Sequence, residues 1–83
     1  MMDEIKINGY YRDLLMPGRL VKVRYVQTKV YSNEPHRYVH GEVYYRVGGY
    51  CEIDVLEKGF KHFFEPVETK EAKAILKAWG YGK

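Results

Sequence analysis

The chain has 83 residues, 46% hydrophobic and 30% charged, with a formal charge of +3. That composition excludes a second hydrophobic core and a disordered chain; a lone cysteine excludes an internal disulfide framework or a Cys-rich zinc module. No apolar run approaches the ~20 residues of a membrane span. Met1-Met2-Asp3-Glu4 is acidic where a signal peptide is basic, so a soluble, cytoplasmic protein is expected.

Residues 4–16 carry mixed signals. Ile5, Lys6 and Ile7 alternate like a short strand, whereas Tyr11, Leu14 and Leu15 have the spacing of a helical turn. Pro17-Gly18 marks a turn. Residues 19–31 form the clearest strand, with Val21, Val23 and Tyr25 alternating against Lys22 and Arg24. Val26 and Val30 fall on the opposite parity, which predicts a β-bulge near residues 25–27. Ser32 to His36 form a polar loop. In the next strand, 38–47, Val39, Gly41, Val43, Tyr45 and Val47 share one face, and Tyr38, His40, Glu42, Tyr44 and Arg46 the other. Gly41 within a strand signals a bend or the close approach of another backbone.

Residues 50–56 form a third strand with Cys51, Ile53 and Val55 on one face. A one-residue slip reverses every side chain, so burial selects a three-residue loop over Gly48, Gly49 and Tyr50. That register places residue 43 opposite 55, 45 opposite 53 and Arg46 opposite Glu52. Glu57-Lys58-Gly59 is a turn, and residues 60–67 a fourth strand in which Phe60, Phe63, Phe64 and Val67 do not share a parity. Pro66 implies an edge or a strand end. Residues 69–79 form a helix with Thr69 as N-cap and Gly80 as the residue after the C-cap. Ala72, Ile75, Leu76 and Trp79 make an apolar stripe that must dock on the sheet. Gly82 and Lys83 are a tail.

The chain is thus one domain, 1–83, mainly β with an α+β arrangement. It is expected to be a small barrel or curled antiparallel sheet of about four to five strands over 17–67, with one C-terminal helix at 69–79. Pro17-Gly18-x-x-Val21-x-Val23, then Gly41-x-Val43 and Ile53-x-Val55, resemble the SH3-like small β-barrels of the KOW and Tudor kind. Val26-Gln27 stand where a KOW motif carries a glycine, and no aromatic cage of the methyl-reading kind is matched. The resemblance implies a barrel that binds nucleic acid or peptides and does not catalyse.

No catalytic or metal constellation is evident, and no cofactor is expected. His36 and His40 are four apart, but on a strand that separates them by ~13 Å, and no Cys or acidic ligand set accompanies them or His62. Cys51 is placed on the inner face as a small hydrophobe. Glu52 and Asp54 read as cross-strand ion-pair partners. Gly48-Gly49 is a hairpin and does not open a helix. Charge is uneven instead: Arg19 to Arg46 holds six basic and two acidic residues, whereas Cys51 to Lys83 holds six of each. Nine of the residues are tyrosine. A basic, tyrosine-rich sheet face formed by Lys22, Arg24, Arg37, Tyr38, His40, Tyr44 and Arg46 is the candidate site. Such a face suits RNA or DNA. It equally suits a protein interface, as in an adaptor or a small inhibitor encoded by a mobile element against a host protein. The exposed edges of a small sheet also make a homodimer an expectation.

Overall fold

The structure, a computed structural model, describes residues 4–81. Met1 to Asp3 and the tail at Gly82 and Lys83 lie outside the described residues. In chain order the elements are β1 (Tyr10–Asp13), β2 (Arg19–Tyr31), β3 (Glu34–Tyr45), β4 (Tyr50–Leu56), α1 (Glu57–Phe63), β5 (Phe64–Val67) and α2 (Thr69–Ala78). The strands form one antiparallel sheet in the order β4-β3-β2-β1-β5. It does not close: β4 and β5 are its two edges.

One face of the sheet carries Tyr11, Val21, Val23, Val39 and Val43, which pack with Ile5 and with Phe60 of α1. Phe60 is fully buried, edge-on to Tyr11 at 5.1 Å and stacked on Phe64 at 4.5 Å. The other face carries Tyr10, Leu20 and Val67, covered by Ala72, Ile75 and Leu76 of α2 and by Trp79, its C-cap. The helical stripe therefore docks as its spacing requires. Its end is closed by Gly80 N–H donating to Lys77 O at 3.0 Å and Tyr81 N–H to Leu76 O at 2.9 Å, the paired bonds of a Schellman cap. Glu68 takes the N-cap position in place of Thr69 and makes no side-chain cap.

The N-terminal segment departs from both readings of its sequence. Ile5 to Ile7 form no strand, and residues 10–13 are a strand, not a helical turn. Because β1 is central, Tyr11 faces Phe60 while Tyr10 faces α2, so both parities are apolar and the alternation disappears. Beyond it, Asp13 Oδ1 accepts the Leu15 and Met16 N–H groups at 2.9 and 3.0 Å. Asp13 Oδ2 pairs with Arg19 at 3.3 Å.

The bulge lies between Val23 and Tyr25, earlier than its expected place. The polar loop shrinks to Ser32 and Asn33, whose φ values of 51° and 65° make a two-residue turn of the type that matches strand twist. Pro35 thus sits within β3, at a level where β4 has not yet begun to pair. The β3–β4 loop has the expected length but not the expected place. Gly48 N–H donates to Tyr45 O at 2.9 Å and Tyr45 N–H to Gly49 O at 3.2 Å, so the turn is Arg46-Val47-Gly48. Gly48, with φ of 104°, takes the final, left-handed position that such loops require. Residue 43 consequently faces Cys51 and Glu42 faces Glu52. The face assignment survives because the shift is even. Val47 leaves the strand and is 93% exposed.

Residues 57–63 are helix where a turn and strand were expected, leaving only 64–67 as strand. Phe60 and Phe63 are three apart, and Glu57 in the first turn and Lys61 in the last suit the helix dipole. The missing parity of the phenylalanines was the sign of that helix.

Gly41 lies opposite Val23 in the β2–β3 ladder. A Cβ there would lie 2.8 Å from Val21 Cγ1 and 2.9 Å from Lys22 O. Gly41→Ala is expected to destabilise the fold by about 1–3 kcal/mol, measured as a lower urea midpoint with an unchanged m-value.

Candidate interaction face

The bulge decides which side chains form the site. Past Val23 the parity of β2 reverses, so Tyr25, Gln27, Lys29 and Tyr31 face the same side as His40, Tyr38, His36 and Glu34, their partners across the ladder. The result is an aromatic stripe along a two-stranded ribbon. Tyr25 stacks on His40 at 4.6 Å with an interplanar angle of 7°. Lys29 Nζ lies 4.9 Å from the Tyr38 ring centre, and Tyr31 meets Tyr38 edge-on at 6.2 Å. The ribbon projects beyond the core, which contributes to a molecule 44 Å long and 21 Å across at its narrowest. Near its tip Val30 is 65% and Tyr31 52% exposed.

Charges on this face are interlocked. Arg24 pairs with Glu42 at 3.2 Å, Lys29 pairs with Asp54, and His40 Nε2 is hydrogen-bonded to Glu52 Oε1 at 2.8 Å. The hydrogen bond to Asp54 raises the Lys29 ammonium above its ordinary pKa. Glu42 and Glu52 are direct cross-strand neighbours, a repulsive arrangement that Arg24 and His40 offset. Arg24, Lys29 and His40 are thus paired with Glu42, Asp54 and Glu52.

The sequence-selected residues are divided among several places. Arg24, Tyr38 and His40 lie together on the open ribbon face. Lys22 and Tyr44 lie toward the end covered by α2: Lys22 Nζ is 5.8 Å from the Tyr10 ring centre, and the Tyr44 ring meets Tyr81 at 5.2 Å. Arg37 is on the opposite face, where its Nε donates to both carboxylate oxygens of Glu57 at 3.1 Å. Arg46 is in the turn beside Gly18, and its N–H donates to Gly18 O at 2.8 Å. Alternation in the sequence does not place Tyr25, Lys29 and Tyr31 on this face, because the bulge precedes Tyr25 and does not follow it. The parity break at Val26 and Val30 contained the signal.

Cys51 is exposed, not buried among apolar partners. It faces the core side, but edge strand β4 leaves it uncovered. Its Sγ lies 3.2 Å from Tyr45 Oη, a hydrogen bond that raises the Tyr45 pKa. Among the described residues no group of three or more His, Cys, Asp or Glu side chains could hold a metal ion. No helix among them is long and apolar enough to cross a membrane.

Tyr81 fastens the C-terminal segment to the sheet. Its hydroxyl lies 2.6 Å from both Tyr45 O and Gly49 O and accepts the Tyr45 N–H at 3.2 Å. Beneath it, Tyr44 donates to Glu42 at 2.8 Å. No protein family, curated protein or solved structure matches the chain.

Burial, assisted by the hydrogen bond to Glu42, pushes the Tyr44 phenol from 10.0 up to about 12. The folded state therefore keeps a proton that the unfolded chain releases first. The stabilisation is complete below pH ~10 and is lost as pH rises through ~12. The urea midpoint is expected to fall between about pH 9 and pH 11.5, and Tyr44→Phe to flatten that fall.

Proposed function

We propose that the protein is a non-enzymatic module that binds a protein partner through the aromatic ribbon face of β2 and β3. The observation that carries this reading is the charge balance of the face. Each of Arg24, Lys29 and His40 is held by a carboxylate, so the face lacks the positive excess that neutralises phosphates. It presents Tyr side chains, which give large, low-entropy contact area, and an arginine, the residue types enriched in protein interfaces. An adaptor or a small inhibitor of another protein fits this surface. An SH3-like fold is part of the proposal. It is supported by the strand order, with β5 returning beside β1, and by the short helix between β4 and β5.

Binding of single-stranded RNA or DNA is the second reading. It is supported by the Tyr25–His40 stack and by Tyr38, whose rings could receive bases. It ranks behind because Glu42, Glu52 and Asp54 lie among those rings and repel a phosphate backbone.

A photo-crosslinking residue at position 31 tests the first reading in living cells. A protein adduct is expected there, and none from the same residue at position 70 on α2. Tyr25→Ala should then weaken the purified pair by about 30-fold or more. Raising salt to about 0.5 M should change that affinity only a few-fold. A nucleic-acid adduct at position 31 would contradict the proposal.

A further inference from the structure

We infer a second, distinct site: the open edge of β4 receives an extended segment of another protein as an added strand, with its apolar side chains seated in the neighbouring groove. Three observations converge. β4 is an edge of the sheet, so alternate backbone N–H and C=O groups along it face away from β3. A groove of about 580 Å3 runs beside it, lined mainly by the apolar Leu15, Ile53, Val55, Leu56, Phe63 and Phe64, with Asp13, Arg19, Tyr38 and Asp54 also bordering it. That volume lies within the usual range for ligand sites. Leu15, Leu56 and Phe63 are 65%, 46% and 40% exposed, which joins them to the groove as an uncovered apolar surface.

The strand itself specifies the occupant. Cys51, Ile53 and Val55 point to the core side, and Glu52 and Asp54 to the other, where the Glu52 side chain is 62% exposed. A strand laid alongside sets its residues face to face with these. One face of the occupant must be apolar, to enter the groove, and the other basic, to share Glu52 and Asp54 with His40 and Lys29, which hold them in the free chain. The fitting partner is an extended segment of about six or seven residues in which aliphatic and basic side chains alternate. A second copy of this chain fits poorly. Antiparallel pairing of two β4 strands that keeps faces matched and most of the strand paired sets carboxylate against carboxylate.

The test is a fluorescence-anisotropy titration of the full chain with labelled octapeptides of alternating lysine and valine. Controls are the glutamate–valine counterpart and a backbone N-methylated lysine–valine peptide, which keeps its side chains but cannot donate to the edge. The lysine–valine peptide is expected to bind at least tenfold tighter than either control. The double variant Glu52→Lys, Asp54→Lys should bind the glutamate–valine peptide at least tenfold tighter than the lysine–valine one. Circular dichroism first confirms that the variant is folded; Glu52→Gln alone, expected to weaken lysine–valine binding about threefold, gives the test if it is not. Absence of lysine–valine binding up to millimolar peptide, or equal binding of the N-methylated peptide, overturns the inference. So does a preference unchanged by Glu52→Gln, or a chain that sediments as a dimer and is dissociated by the double variant. Tyr31→Ala, near the ribbon tip and in ring contact with His36 and Tyr38, is expected to leave these titrations unchanged, which separates this site from the ribbon face.

Discussion

A single sheet has to be covered on both faces by a chain with little else to spend on a core, and Phe60 is the residue that covers the larger one. It fills the space beneath Tyr11, Val21, Val23, Val39 and Val43 and stacks on Phe64. Burying such a ring contributes about 1.5–3 kcal/mol, a large share of the stability of a small domain. Its position follows from α1, which turns the chain from β4 across the sheet and delivers β5 to the side of β1. The opposite face is covered only where α2 lies, over Tyr10, Leu20 and Val67. The rest of that face remains open, and that is where the aromatic stripe is found.

The bulge at Val23/Tyr25 links packing to surface chemistry. Before it, the odd-numbered residues of β2 supply the core. After it they supply the ribbon, placing Tyr25, Lys29 and Tyr31 with Tyr38 and His40. Val26 takes over on the core side and packs against the buried cluster. One extra residue thus lets a 13-residue strand serve the core in its first half and the surface in its second. Gly41 accommodates the same region from β3, since any Cβ would meet Val21.

Much of this was legible in the residues. The limits of β2, the apolar stripe of α2 and the inner row Val39, Gly41, Val43 follow from periodicity alone. β1 was hidden because Tyr10 and Tyr11 are buried on opposite sides, which erases alternation. α1 is hidden because Phe60, Phe63 and Phe64 suit a strand by residue type, although their spacing is helical. The candidate site was only half legible. Which basic and aromatic residues share a face depends on the bulge and on a register set by Gly48, and both are tertiary in origin. Arg37 left the face by parity, and Arg46 by falling in the turn.

Protein binding by the ribbon face depends most on its charge balance, in which Arg24, Lys29 and His40 are each held by a carboxylate. The direct measurement is an anisotropy titration of labelled single-stranded RNA, single-stranded DNA and duplex DNA at low and near-physiological salt. At most weak binding is expected at low salt, and none at near-physiological salt. Saturable binding that persists at near-physiological salt and is lost in the Arg24→Ala, Lys29→Ala variant would contradict it and make the ribbon a nucleic-acid site.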